Sequence, residues 1–284
     1  MHGVTRLRSL PPAFVLAAFL AAAAPTLAAT PRTETAVSGQ VQAKFSYQRE
    51  SDFQYRDVHM EIRRAGRIVL DAPVPAPCRE CPVIPAGAAA GVNSMSLVDL
   101  EKDGEPEAVV DLYTGGAHCC TYSVIYGYRA AGDSYGRLVH GWGDPSYQLV
   151  DIDHDGRPEL RSADDAFAYA FTAYLFSGLP VQVWHYGAGR LVDVTRNFPN
   201  TIRADLKSQA SRYRTARREK LDVRGVLAAY VADQYLLGQG KRGWRVVRNA
   251  YRRGELKAQP GDFGAHGKRY IKALRRFLRK RGYR

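Results

Sequence analysis

The 284-residue chain contains none of the short motifs that announce common catalytic machinery. It has no G-x-S-x-G nucleophile elbow, no H-E-x-x-H zinc helix, no glycine-rich phosphate loop and no dinucleotide fingerprint. Beyond residue 29 no apolar run approaches the roughly 18 residues that a membrane-spanning helix requires. Cysteine is scarce: four residues, all between positions 78 and 120. Acids are almost missing from the last third, where residues 202–284 carry 24 lysines and arginines against six carboxylates, a net charge of +18. The formal total of +13 therefore conceals an acidic middle, residues 30–201, of net −7. Neither half is described by the overall isoelectric point of about 9.7.

The first 29 residues read as an export signal. Arg6 and Arg8 form a positive start, Ala13 to Ala24 is a twelve-residue apolar run, and the small residues Thr26 and Ala28 precede a cleavage point after Ala28 or Ala29. A retained N-terminal anchor is the alternative. No cysteine for lipid attachment sits at that point, so the expectation is a soluble protein, secreted or periplasmic. Four cysteines in such a compartment are expected as two disulfides. A vicinal Cys119–Cys120 bridge would strain the peptide between them, so the expected connectivity joins the Cys78/Cys81 pair to the Cys119/Cys120 pair. His118 beside these thiols offers the alternative of a Cys/His zinc site or a thiol nucleophile with an adjacent base.

Residues 30–40 are small and polar and are expected to be a flexible leader. The segments 40–48, 55–64 and 67–71 alternate as strands, with Val58, Met60 and Ile62 on one face and a turn at Ala65-Gly66. Residues 72–91, rich in Pro, Ala and Gly, read as a loop. Two copies of one nine-residue pattern follow, 52 positions apart. The first is Asp99-Leu-Glu101-Lys-Asp103-Gly104-Glu105-Pro-Glu107; the second is Asp151-Ile-Asp153-His-Asp155-Gly156-Arg157-Pro-Glu159. Each has carboxylates at positions 1, 3, 5 and 9 and glycine at 6. A hard cation takes roughly six to eight oxygens, and a short loop can wrap them only with glycine at the tight bend. Each loop is preceded by an apolar strand and followed by a strand and hairpin, a β-meander with a period near 50 residues (93–144 and 145–195). From Ile202 the apolar period becomes helical, giving three or four short basic helices over 202–284.

These acidic loops run from strand to strand and lack a glutamate at position 12, unlike an EF-hand. They resemble the FG-GAP repeats of integrin α-subunit propellers and of many exported bacterial proteins. The matching residues are Asp151, Asp153, Asp155, Gly156 and Glu159, and more loosely Asp99, Glu101, Asp103, Gly104 and Glu107. The resemblance covers Asn93 to Thr195 and implies a propeller-blade-like meander with calcium in the loop between its first two strands. The fold class expected is thus α+β: antiparallel β-meander repeats followed by a small basic helical region. Candidate ligands of the second loop are Asp151, Asp153, Asp155, the Arg157 carbonyl and Glu159; those of the first are Asp99, Glu101, Asp103, Glu105 and Glu107, with Glu101 making it the weaker.

The function expected is an exported, calcium-binding, non-catalytic binding or scaffold protein of the cell envelope. Two alternatives stand beside it. One is a hydrolase of envelope polysaccharide or peptidoglycan, using Glu159, Asp164, Asp165 and the His118 region. The other is a membrane-surface factor acting through the basic terminal helix. Partners expected are an anionic envelope polymer or lipid headgroups for the basic end, or another protein. Nucleic acid is not expected, since no recognition module is present and the chain reads as exported.

Overall fold

The computed structural model describes residues 29–116, 120–258 and 263–284. Residues 1–28, nearly all of the segment expected to be an export signal, lie outside these, as do His118 and Cys119. The chain is α+β, with three antiparallel sheets followed by four α-helices among the described residues. The first sheet is a meander of β1 (Thr30–Ser38), β2 (Val41–Arg49), β3 (Tyr55–Arg64) and β4 (Arg67–Pro73). The second contains β5 (Ile84–Pro85), β6 (Met95–Val98), β7 (Glu107–Tyr113), β8 (Thr121–Arg129) and β9 (Ser134–Gly143), in which β5 and β6 both pair with β7. The third is a meander of β10 (Gln148–Val150), β11 (Glu159–Ala163), β12 (Val181–Gly187) and β13 (Arg190–Asp193).

Residues 30–40 are thus no flexible leader. β1 pairs with β2 over its full length, from Thr30–Arg49 to Ser38–Val41. The polarity that suggested a leader belongs to a strand with most of its side chains in water. Glu34 is the exception: it is buried and accepts the backbone N–H groups of Ser94 and Met95 at 2.7 and 2.9 Å, which ties β1 to the start of β6. The 72–91 segment is mostly loop as expected. Its cysteines pair with each other, Cys78 to Cys81 with Cα atoms 5.2 Å apart, and do not staple the loop to the first repeat. That spacing lies within the range an ordinary bridge needs, so the local pair closes without help from the second. Cys120 is disulfide-bonded as well.

The sheets stack in chain order. Val41, Phe45, Met60 and Ile62 of the first meet Ala108, Val110, Tyr122 and Val124 of the second. The opposite face of the second, with Val109, Ile125 and Trp142, meets Leu160 and Tyr186 of the third. Successive residues of β7 are buried on alternating sides, which is why its sequence EAVVDLY reads as nearly continuous apolar surface rather than as an alternation. The far face of the third sheet, Val181 and Val183, packs on Phe198 and Ile202.

The helices are α1 (Pro199–Arg218), α2 (Arg224–Leu236), α3 (Gly240–Arg252) and α4 (Gly267–Lys280). Val226, Leu227 and Val231 of α2, Trp244 and Val247 of α3, and Tyr270, Leu274 and Leu278 of α4 make one core. Phe167 and Phe171, from the excursion between β11 and β12, complete it. The β-rich and helical parts therefore share a core. No helix among the described residues is long and apolar enough to cross a membrane.

Arg224 is the largest fully buried side chain, 1% exposed. It donates to Asp222, 2.6 Å at the closest, and to the carbonyls of Phe263 and Ala265 at 2.9 and 3.1 Å, while its own carbonyl accepts the Tyr270 hydroxyl at 2.6 Å. Asp222 also accepts the Thr172 hydroxyl, so one ion pair joins the β11–β12 excursion, α2 and α4. Removing one member strands a buried charge, which costs about 3–5 kcal/mol. Urea unfolding of Arg224→Ala should show a loss of that size, and Asp222→Asn/Arg224→Met a smaller one. A loss under about 1 kcal/mol would mean that water enters the site and rescues Asp222.

Candidate functional site

The two acidic loops lie between β6 and β7 and between β10 and β11, the same place in neighbouring sheets. Their backbones match. Lys102 and His154 both have positive φ, 58° and 62°, as do Gly104 and Gly156, 85° and 86°. At the first position Asp99 and Asp151 accept the glycine N–H at 2.8 and 3.0 Å. At the fifth, Asp103 and Asp155 accept the N–H two residues on, at 2.9 and 2.7 Å. At the ninth, Glu107 and Glu159 fold back onto the N–H of Leu100 and Ile152, at 2.9 and 2.7 Å. Both glutamates are buried. Short acidic side chains satisfy loop N–H groups that would otherwise need water, the reason Asp and Asn recur in such turns.

The loops differ in what else their acids do. In the second, Asp151, Asp153 and Glu159 each place a carboxylate oxygen within 4.8 Å of the others, the one such group of three among the described residues. Asp151 Oδ1 is shielded from solvent and has no hydrogen-bond partner. Asp155 is outside this group, its Oδ1 being held by the Arg157 N–H. In the first loop no such group forms. Glu101 reaches across to the N–H of Ala188 in the β12–β13 turn at 2.8 Å. Glu105 makes a bidentate pair with Arg64 of the first sheet, 3.0 Å on both arms. The sequence placed both residues in a cation shell, whereas the structure uses them to join sheets.

The loops also hold each other. The Lys102 ammonium donates to the Asp155 carbonyl, and the Arg157 guanidinium donates to the carbonyls of Leu100 (3.2 Å) and Tyr186. Behind Glu159, His185 Nε2 lies 2.8 Å from Oε1. Ala108 pairs with Tyr126 and Leu160 with Trp184, so the position equivalent to His185 in the second sheet is Gly127. A Cβ there would come 2.3 Å from the Tyr186 hydroxyl of the third sheet. That glycine admits a neighbour's ring beside Glu107 where the other loop has an imidazole. Sequence reasoning missed His185, Tyr186 and Arg157's side chain; comparing the two repeats strand by strand beyond the loops would have exposed the His/Gly difference.

Asp164 and Asp165, the other acids singled out, do not join Glu159 as an acid/base pair. Asp164 is buried and accepts Arg281 Nη2 at 2.9 Å and the Tyr283 hydroxyl at 3.0 Å. Asp165 accepts the Asp144 N–H at 3.2 Å, and burial raises its carboxyl above the usual range. Both serve to dock segments. A cavity of about 410 Å³ beside Asp164 is lined also by Asp193, Arg196 and Arg281.

Residues 202–282 match the family described as the sll0997 C-terminal domain. That match covers the helical region and leaves the acidic loops outside it. The chain is similar to "Probable thylakoid lumen protein sll0997" of Synechocystis sp. (strain ATCC 27184 / PCC 6803 / Kazusa), 29% identical over 164 residues, 56% of this chain and 48% of that protein. It is also similar to "Uncharacterized protein y4bJ" of Sinorhizobium fredii (strain NBRC 101917 / NGR234), 30% identical over 226 residues, 76% of this chain and 33% of that protein. The chain thus spans about half the length of the first relative and a third of the second. No solved structure matches it.

Burial pushes the Glu107 carboxyl up to about 8; the Leu100 N–H opposes this, and the nearby acids Glu101, Asp103 and Asp99 add to it. The folded state then keeps a proton that the unfolded chain releases near 4.5, so the contribution of Glu107 to stability falls as pH rises from about 4.5 to about 8. In a calcium chelator, melting temperature should decline less steeply over that window for Glu107→Gln than for the parent protein. Parallel slopes would show that Glu107 ionises in the fold as it does in water.

Proposed function

We propose that this is an exported, non-catalytic module whose second acidic loop takes calcium and uses it to rigidify the junction between the second and third sheets. The observation that carries the reading is the convergence of Asp151, Asp153 and Glu159, with the Asp151 Oδ1 oxygen buried and unpartnered. Calcium binds oxygens at about 2.4 Å, so two oxygens across the ion stand at most about 4.8 Å apart. Three carboxylates within 4.8 Å therefore fit one shell. Three like charges this close repel without a cation. The Arg157 carbonyl completes the protein ligands and water the rest, while Asp155 holds the loop through the Arg157 N–H. The first loop is a structural copy whose position-three acid serves the β12–β13 turn instead.

Other observations support the remaining parts. β1 packs beside β6 and β4 beside β9, first strand on first and last on last, as propeller blades stack. Three such meanders make a propeller-like segment to which the helices attach. Export is supported by the N-terminal charge and apolar pattern, by the Cys78–Cys81 bridge, and by the Synechocystis relative, named a probable thylakoid lumen protein. Asp164 is engaged on both oxygens, which speaks against the hydrolase alternative. The apolar face of α4 lies in the core, which speaks against the terminal helix inserting into a membrane.

Extracellular calcium sites commonly dissociate near about 10⁻⁴ M. At about 10 mM calcium, roughly a hundred times that value, linkage adds about 2.7 kcal/mol. For a protein of this size that raises the melting temperature by about 5–10 °C over a chelator control. Asp153→Ala and Glu159→Gln should each remove the rise, and Asp103→Ala in the other loop should keep it. No rise in the parent protein, with no calcium retained in equilibrium dialysis, would sink the calcium reading.

A further inference from the structure

The helical end carries an electrostatic feature that the calcium reading leaves unused. On α3, Lys241, Arg245, Arg248 and Arg252 recur at intervals of four, three and four, which puts them on one stripe of the helix, and all are exposed. On α4, Lys268, Lys272, Arg275 and Arg279 recur at the same intervals and are likewise exposed. Each stripe runs about 16 Å along its helix.

Two concavities accompany the stripes. One, about 1010 Å³, is lined by Lys241, Arg242 and Arg248 of α3 and by Arg275 and Arg284. The other, about 490 Å³, lies along α4 between Lys268 and Arg279 and shares Arg275 with the first. Among the described residues no Asp or Glu side chain lines either. Nor does any of these cations form a salt bridge among the described residues. Like charges at helical neighbours destabilise a helix, and a dense field of one sign opposes the compact state. The charge is therefore set at a cost the fold does not recover internally.

We propose that the α3–α4 groove binds a linear, phosphate-bearing polymer. Three observations select this partner. The surface is concave and elongated, with cations about 5–6 Å apart along each helix, which suits a chain of repeated anions. Arginine outnumbers lysine in it, and the guanidinium fork meets phosphate oxygens in pairs. The third concerns the aromatics. Trp244 is 7% exposed, donates its N–H to the Tyr235 hydroxyl at 2.8 Å and has the Arg275 guanidinium 5.0 Å above its ring. Of the two rings that line the larger concavity, Trp244 is buried beneath Arg275 and Tyr235 is half-buried. The exposed Tyr251 lines neither concavity, so the groove presents no fully exposed ring for stacking bases, as a single-stranded nucleic acid site requires. A bilayer would need exposed apolar anchors, yet the apolar face of α4 is in the core and Leu175 and Phe263, both exposed, line neither concavity.

The test is titration of the signal-free protein with sodium polyphosphate, in EGTA so that the outcome does not depend on the acidic loop. Binding should weaken steeply with salt. Arg248→Gln/Arg275→Gln should reduce affinity roughly tenfold or more and lower the logarithmic salt slope by about 2. Lys207→Gln/Arg214→Gln, which removes the same charge from exposed positions on α1, should leave affinity within about twofold. If the first variant melts early, Lys272→Gln/Arg279→Gln should reproduce its binding defect. Equal losses in the groove and α1 variants, or no polyphosphate binding by the parent protein, would overturn the proposal. So would a preference for phosphatidylglycerol vesicles or for a single-stranded oligonucleotide over polyphosphate.

Discussion

The ninth-position glutamate is the constraint on which the β-rich part depends. Glu107 and Glu159 each begin a second strand, are almost wholly buried, and turn back to accept the N–H at position two of their own loop. A carboxyl group buried this way fixes where the strand starts and how the loop leaves it, since an unmet backbone N–H or an unpaired carboxyl oxygen inside would each be costly. With the loop ends fixed, the remaining acids must point outward or across. Glu101 and Glu105 go to neighbouring sheets; Asp151 and Asp153 stay home and converge. One geometry thus gives a sheet-joining loop and a candidate cation loop, and the difference lies in the length of one side chain and in who sits behind it, Gly127 or His185.

Much of this was legible in the amino-acid pattern, because the pattern carries local physics. The strand Tyr55–Arg64 and the helical stripe Tyr270, Leu274, Leu278 follow directly from apolar periodicity. The two acidic loops followed from spacing alone. What failed was whatever depends on a distant partner. β1 reads as polar leader because only its pairing with β2 and the single buried Glu34 reveal a strand. Glu105 reads as a ligand because Arg64, 41 residues away, cannot be seen beside it. Asp164 reads as a candidate catalytic acid because its partners, Arg281 and Tyr283, lie more than 100 residues on. The cysteines misled for the opposite reason: the nearest partner sufficed.

The charge asymmetry also takes a definite form in the fold. In the acidic middle many carboxylates meet backbone N–H groups or single arginines, and spare negative charge gathers at Asp151, Asp153 and Glu159. The basic end divides likewise. Arg224, Arg196 and Arg281 are engaged by carbonyls or by Asp164 and Asp222, while the outward stripes of α3 and α4 meet no acid among the described residues. Neutralisation inside and accumulation outside coexist within one helical bundle, and only the second sets up a field that a ligand in solution would feel.

The order in which the sheets stack is the order in which the chain is written, and that has a consequence for how it is made. Each new meander needs only the one before it to cover its leading face, so structure can be laid down progressively as residues emerge from a ribosome or a pore. Most pairings span a few dozen residues, which keeps the search local and quick for a largely β protein. The clasp comes from far along the chain. Arg281 and Tyr283, 117 and 119 residues beyond Asp164, return to it and seal the third sheet against the helices. Until they arrive, that buried carboxylate and the aromatic floor around Phe167 stand open. A chain made only as far as α3 would therefore expose that carboxylate and those rings at the seam where the two halves meet.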